Sequence, residues 1–101
     1  MGDPQEESVT PLKALQEWYA SNCDGDWEHS FGIRIETSDN PGWILVVDLE
    51  RTSLYGRFCD KEDSSVDGSW ISMKSDGREF VAACDPCSLD RAVDSFVKFA
   101  Q

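Results

Sequence analysis

An Asp-Gly pair at positions 76 and 77 constrains the fold of this chain more than any other sequence feature. It separates two runs with the composition of β-strands, residues 70–75 and residues 78–83. Asp-Gly readily adopts the positive backbone angles that a tight hairpin turn requires. The pair therefore predicts two antiparallel strands joined by a short turn, and the chain must contain an antiparallel sheet.

Three further stretches before this hairpin also have strand character. Residues 31–37 alternate, with Phe31, Ile33 and Ile35 on one side and Arg34 and Glu36 on the other. Residues 43–49 are almost wholly apolar, which predicts a central strand covered on much of both faces. We also predict a strand at residues 53–59 and a polar, acidic loop at residues 61–67.

The segment Asn40-Pro41-Gly42 lies between the first two of these strands. Proline presets one backbone angle of a type II turn, and glycine supplies the positive angle that the next position requires. We therefore predict a type II turn here, with Gly42 in the left-handed region.

Two amphipathic helices enclose the strand region. Thr10 is suited to cap the first helix and Pro11 to occupy its first turn. Ser88 is suited to cap the second. Their apolar positions recur at helical spacing: Leu12, Leu15, Trp18 and Tyr19 in the first, and Leu89, Ala92, Val93, Phe96, Val97 and Ala100 in the second.

The order of elements predicts an α+β fold. We expect an antiparallel β-meander of about five strands, with the N-terminal and C-terminal helices packed on one face. Residues 1–9 are expected to be a disordered leader, and residues 10–101 a single domain. The residues that we expect to be buried are Leu15, Trp18, Phe31, Ile33, Leu45, Val47, Val93, Phe96 and Val97.

The charge balance restricts the classes of partner. Nine basic residues against twenty acidic ones give a net charge of -11. This disfavours nucleic acids and anionic membranes, whose phosphates attract basic surfaces. It suits a basic protein partner, because opposite fields accelerate encounter. The N-terminus lacks the features of a signal peptide, so we expect a cytoplasmic protein with reduced cysteines.

The pair Cys84 and Cys87 suggests an alternative function. Its spacing is that of a redox dithiol, and it precedes a predicted helix. A zinc site that combines the pair with Cys23, Cys59 or His29 is a second possibility. A thioredoxin-like fold needs further strands after that helix, and Cys23 and Cys59 lack ligand spacing. We therefore predict no metal or other cofactor, and keep a small thiol-redox or zinc-binding protein as the alternative.

The acids around the first predicted hairpin are the candidate partner-binding residues. His29 is the only histidine, and no nucleophile with a plausible base partner is visible, so we predict no catalytic residues and no enzyme. Trp27, Trp43 and Trp70 are candidates for interface anchors or for core positions. The predicted partner-binding residues are Asp24, Asp26, Glu28, Glu36, Asp39, Trp43 and Asp48. In a competing interpretation, Asp24 and Asp39 accept backbone hydrogen bonds within turns.

Two segments carry a resemblance to a known family. Residues 23–29 read Cys-Asp-Gly-Asp-Trp-Glu-His, and residues 39–43 read Asp-Asn-Pro-Gly-Trp. With Trp18-Tyr19, residues 32–37 and Asp48-Leu49, they resemble the immunity protein 53 family of bacterial polymorphic toxin systems. The resemblance is dense over residues 15–54 and weaker beyond. It implies a small α+β protein that protects the producing cell by binding a toxin. A general interaction adaptor without a toxin is the remaining alternative.

Overall fold

The computed structural model describes residues 10–101, and the predicted leader at residues 1–9 lies outside them. The described chain contains three helices and five strands. In chain order they are α1 (Pro11–Asn22), α2 (Trp27–Ser30), β1 (Ile33–Ser38), β2 (Gly42–Asp48), β3 (Phe58–Ser64), β4 (Trp70–Asp76), β5 (Glu79–Cys84) and α3 (Leu89–Phe99). Thr10 caps α1 as predicted, because its hydroxyl accepts the N–H of Lys13 at 3.1 Å.

The five strands form one antiparallel sheet in the order β1-β2-β5-β4-β3, which confirms the predicted α+β class. The order differs from that of a simple meander at one place, because β2 pairs with β5. Residues 49–57 carry the chain around the β4–β5 turn to the far edge of the sheet. Two hydrogen bonds hold this segment to the turn: Leu49 N–H to the Arg78 carbonyl and Gly56 N–H to the Gly77 carbonyl, both 2.8 Å.

The third strand lies later in the chain than the sequence predicted. Residues 51–56 form successive turns, in which Thr52 N–H bonds back to Leu49 and Tyr55 N–H to Thr52. The strand at residues 53–59 and the loop at residues 61–67 were therefore wrong predictions. β3 is an edge strand whose charged side chains reach solvent on both sides. It needs no apolar alternation, so its sequence resembles that of a loop.

The predicted type II turn at Gly42 is also wrong. Gly42 is the first residue of β2, where it pairs with Ser38, and its φ angle is not positive. Glycine is required there for a different reason. A Cβ atom at this position would collide with the carbonyl oxygen of Cys84 on the neighbouring strand. The Asp76-Gly77 hairpin is confirmed, with Gly77 at a φ of 90°.

The core lies between the sheet and α3, which packs across β2, β5 and β4, while α1 packs chiefly on α3. Phe96 of α3 stands at its centre, with its ring centroid 4.9 Å from that of Trp18 and 5.2 Å from that of Phe80. The predicted burial is confirmed for Leu15, Leu45, Val47, Val93 and Phe96.

Four residues predicted to be buried are only half-buried, and two positions on the predicted apolar face of α1 are exposed. Because α1 lies on the outer side of α3, Leu15 is its one buried residue. Because β1 is an edge strand, its apolar side chains are covered less than those of β2. The half-buried residues are Trp18, Phe31, Ile33 and Val97, and the exposed ones are Leu12 and Tyr19.

The opposite side of the sheet, here named the open face, has no helix packed on it within residues 10–101. The strand residues of the core cluster all belong to the helix side. The pairing register places alternate residues of the five strands on the open face. They are Arg34, Glu36 and Ser38; Ile44, Val46 and Asp48; Phe58, Asp60, Glu62 and Ser64; Trp70, Ser72, Lys74 and Asp76; and Glu79, Val81 and Ala83.

Candidate functional site

Two acids of the segment between α1 and α2 hold its turn together. One carboxylate oxygen of Asp24 accepts the N–H groups of Asp26 and Trp27, each at 2.9 Å. The carboxylate of Glu28 accepts those of Asp24 and Gly25, at 3.0 and 2.8 Å. The N–H of Trp27, followed by that of Asp26, holds the pKa of Asp24 below its usual value. Backbone N–H groups, first its own and then those of Asp24 and Gly25, do the same for the pKa of Glu28.

The same segment is tied to the loop after β2. Asp26 forms a 2.6 Å ion pair with Arg51, a residue with a φ of 64°. Trp27 is only 2% exposed, and its indole N–H donates to the carbonyl oxygen of Glu50 at 2.8 Å. Because Trp27 is buried within the protein, it is a packing residue and not an interface anchor.

The other four predicted partner-binding residues occupy different environments. Glu36 lies on the open face beside Arg34, with 3.6 Å between Nε and the carboxylate. Asp48 is also on this face, and its carboxylate accepts the N–H of Gly32 at 2.9 Å. Asp39 is exposed in the β1–β2 turn. Trp43 is half-buried on the helix side, and its indole N–H donates to Pro86 at 2.9 Å.

The seven predicted residues therefore fall into separate groups. Asp24, Asp26 and Glu28 cluster at the α1–α2 turn, whereas Glu36 and Asp48 share the open face. Their role in binding a partner stays a prediction, since all the contacts described for them lie within the chain.

The open face combines an apolar middle with an acidic margin. Six carboxylates and two basic groups project from its strands, as the register requires. Within residues 10–101, Glu36 is the one of these carboxylates that forms an ion pair. The carboxylates are Glu36, Asp48, Asp60, Glu62, Asp76 and Glu79, and the bases are Arg34 and Lys74.

Sequence reasoning missed the contribution of β3 to this face. Phe58 is 70% exposed, and Asp60 and Glu62 follow it at two-residue spacing on the same side of the strand. The alternation was present in the sequence as a charged pattern. This charged alternation lacks the apolar positions that mark a half-buried strand, so it does not distinguish a strand from a polar loop.

One comparison with known proteins decides the family. The model of the family described as Immunity protein 53 matches residues 12–101, nearly the whole chain. The chain belongs to the immunity protein 53 family. The resemblance carried by residues 23–29 and 39–43, here named the signature segments, is thereby confirmed. No curated protein and no solved structure matches the chain. None of the helices within residues 10–101 has the length and apolar character needed to cross a membrane.

The paired cysteines of this immunity protein 53 family member occupy different environments. Cys84 and Cys87 are both free thiols, Cys84 in the core and Cys87 exposed. Burial raises the pKa of the Cys84 thiol, whereas a catalytic dithiol needs a lowered pKa. Burial also raises the pKa of Cys59. Among residues 10–101, no three histidine, cysteine or acidic side chains converge as a metal site requires. The geometry thus favours neither the redox nor the zinc alternative.

A groove of about 690 Å³ runs between α3 and β3. Four of its six charged lining residues form ion pairs, with Arg91 at 3.4 Å from Asp63 and Lys98 at 3.1 Å from Asp94. Three bases and three acids line the groove, so its formal net charge is zero.

Proposed function

We propose that this chain binds and neutralises a cognate bacterial toxin by stoichiometric occlusion, and that an acidic surface makes the contact. Membership of the immunity protein 53 family carries the proposal. In this view the chain acts as a binding module in the cytoplasm of the producing cell. It blocks the active site or the substrate groove of the toxin and performs no chemistry itself.

The proposed toxin is a basic protein. A net charge of -11 on 101 residues produces a field that attracts a cation-rich surface over a distance of about 8 Å at physiological salt. Such a field raises the association rate, while buried contacts set the lifetime of the complex. Association is therefore expected to be fast and to slow steeply as salt is added.

The acids of the first hairpin and its approach are proposed to belong to this surface. Asp26 and Asp39 are exposed, and Glu36 is exposed on β1. Asp24 and Glu28 are accessible as well, but their oxygens also accept turn hydrogen bonds. A toxin that contacted Asp24 or Glu28 would therefore meet carboxylates already fixed in position, which lowers the entropy lost on binding.

The test uses the polypeptide encoded beside this chain in its source genome. The neighbouring toxin domain and the purified chain should form a one-to-one complex, and co-expression should restore growth of cells that the toxin kills. Failure of the two purified proteins to bind would contradict the proposal.

Charge reversal tests the acidic surface, and substitution by Ala separates the interface role of the acids from their turn role. Replacing Asp24, Asp26 and Asp39 with Lys should slow association and flatten its salt dependence. An interface residue changed to Ala should weaken binding at an unchanged melting temperature. A turn residue changed to Ala should lower the melting temperature and leave the affinity of the folded protein unchanged. Binding that is indifferent to salt and to charge reversal would contradict the acidic surface.

A further inference from the structure

The two faces of the sheet differ in how they are covered. On the helix side, α3 covers β2, β5 and β4, and the strand residues there join one continuous core. On the open face, Ile44, Val81 and Ala83 are partly exposed in the middle of the sheet, while Val46, which pairs with Val81, is 6% exposed. Apolar groups left in contact with water at the centre of a face are typical of a surface that another protein covers.

Two aromatic side chains stand at opposite ends of this face. Phe58 lies at the end formed by the β4–β5 turn, where its ring would be 3.3 Å from a Cβ atom on Gly77. Trp70 lies at the other end of β4, partly exposed and outside the core cluster. Six residue steps along β4 separate the level of Phe58 from that of Trp70, about 20 Å at strand spacing. Tryptophan and other aromatics supply much of the binding energy at protein interfaces.

The charges around these aromatics specify the occupant. Six carboxylates against two bases give the face a net charge of -4. Asp60 and Glu62 on β3 and Glu36 on β1 border it on opposite edges. A second copy of the chain would bring the same acids together, and like charges disfavour that contact. A basic protein with an apolar centre and a rim of Lys and Arg is complementary.

We infer that the open face of the sheet is the docking surface for the basic toxin, with Phe58 and Trp70 as its aromatic anchors; this rests on the proposed function. Four strand gaps of about 4.8 Å by about 20 Å along the strands give a face of about 400 Å². A standard interface buries about 800 Å² on each partner. The remaining buried area comes from the two ends of the face, where Asp39 and the exposed Tyr55 lie.

Lysine labelling tests the surface without changing any residue. Lys74 is exposed on the open face, whereas Lys13 is exposed on α1, on the helix side of the sheet. The probe is the purified C-terminal domain of the protein encoded immediately upstream of this chain. Acetylation of Lys74 should fall at least tenfold in the complex, while Lys13 reacts as it does in the free chain. Protection of Lys13 with Lys74 still reactive would place the toxin on the helix side and overturn the inference.

Substitution gives a second measure. Phe58→Ala and Trp70→Ala should each weaken binding of the same domain about 30-fold or more. The Glu36→Lys and Glu62→Lys double variant should slow association at low salt. Leu12→Ala and Glu17→Lys on α1 are the matched controls, and they should bind within about threefold of wild type. Because Phe58 is 70% exposed, Phe58→Ala should keep the wild-type melting temperature, and a loss of binding would then not be caused by unfolding.

The outcomes distinguish this inference from the function beneath it. If Phe58→Ala, Trp70→Ala and the double variant all bind with wild-type affinity, the docking surface is overturned and the immunity function still stands. A free chain that dimerises with Lys74 protected makes a second copy the occupant and also overturns the surface. Absence of binding by the wild-type chain overturns both.

Discussion

The indole N–H of Trp27 donates a 2.8 Å hydrogen bond to the backbone carbonyl oxygen of Glu50, joining two segments 23 residues apart. One is the signature segment before β1, and the other is the loop that leaves β2. Trp27 also contacts Trp18, Tyr19 and Phe31, with ring centroids 5.9–6.2 Å away. The signature tryptophan thus fastens the N-terminal helix to the sheet.

Trp27→Phe should therefore destabilise the protein without changing its surface. The variant keeps an aromatic ring but leaves the Glu50 carbonyl without its donor, at a cost of about 1–3 kcal/mol. Urea unfolding followed by circular dichroism would measure the loss. A free energy of unfolding equal to that of wild type would show that water replaces the indole at no cost.

Phe96→Ala should cost about 3–5 kcal/mol, because the ring is fully buried between Trp18 and Phe80 and its removal leaves a cavity. Leu12→Ala is the matched control on the exposed side of α1, where Leu12 is 55% exposed and the change should stay within about 0.5 kcal/mol. Thermal or urea unfolding of both variants provides the comparison. An effect of Phe96→Ala under about 1 kcal/mol would contradict the position of α3.

Gly42→Ala should destabilise the sheet by roughly 1–3 kcal/mol, although alanine suits a strand better than glycine. The added methyl group must displace the backbone of Cys84, which a strand in the middle of a sheet resists. Hydrogen exchange of the β2 and β5 amides should accelerate in the variant. An unchanged melting temperature would mean that the two strands can separate without loss.

Replacing Cys87 with Ser should alter neither stability nor toxin binding, because this thiol is exposed. Cys84→Ser should lower stability by about 1–3 kcal/mol, since it places a hydroxyl in the core. Toxin binding by the doubly substituted protein should still stay within about tenfold of wild type, or ~1.4 kcal/mol. Stoichiometric zinc in the wild-type protein, together with loss of folding in the variant, would contradict this expectation.

Stability should fall in acid, and Asp85 should contribute to the fall. The Ser88 hydroxyl, followed by the N–H of Trp70 and that of Cys87, lowers the pKa of Asp85 in the folded protein. The unfolded chain therefore binds a proton first as the pH drops below about 4, and folding is progressively disfavoured down to the folded pKa. Above that window both states are ionised and the stabilisation is complete.

Asp85→Asn is the matching variant. It removes the titrating group, so the free energy of unfolding should depend less steeply on pH below about 4, and it should be lower than wild type at pH 7. Urea unfolding at a series of pH values would measure both changes. A slope identical to that of wild type would show that Asp85 does not contribute.

The sequence predicted those parts of the fold where a residue pattern has only one structural explanation. Asp76-Gly77 and the apolar stripe of α3 each allow a single interpretation, and both are confirmed. Gly42 allowed two interpretations, because glycine is used both where φ is positive and where another backbone segment passes very close. Only the position of Cys84 on the neighbouring strand decides between them. The charged strand at Phe58–Ser64 could not be recognised, since an edge strand in water needs no apolar side.

The candidate site was predictable in kind but not in place. Net charge indicated an acidic surface for a protein partner, but it does not locate one. Asp24 and Glu28 stand out in the sequence because they cluster near a tryptophan, and that cluster forms a turn. The open face is assembled from five strands whose register is set by long-range pairing. No local pattern could place Glu36 and Glu62 on one surface.

The pairing of β2 with β5 has a consequence for the order in which the chain folds. Trp43 pairs with Cys84, 41 positions later. The β2–β5 pairing therefore joins the β1–β2 hairpin to the β4–β5 hairpin. The β1–β2 and β4–β5 hairpins need only local contacts, and each can form early on its own. A chain growing at roughly 5–20 residues per second leaves β2 without its second partner strand for seconds until β5 is synthesised. During synthesis, the apolar strand β2 is the segment with most need of protection from other chains.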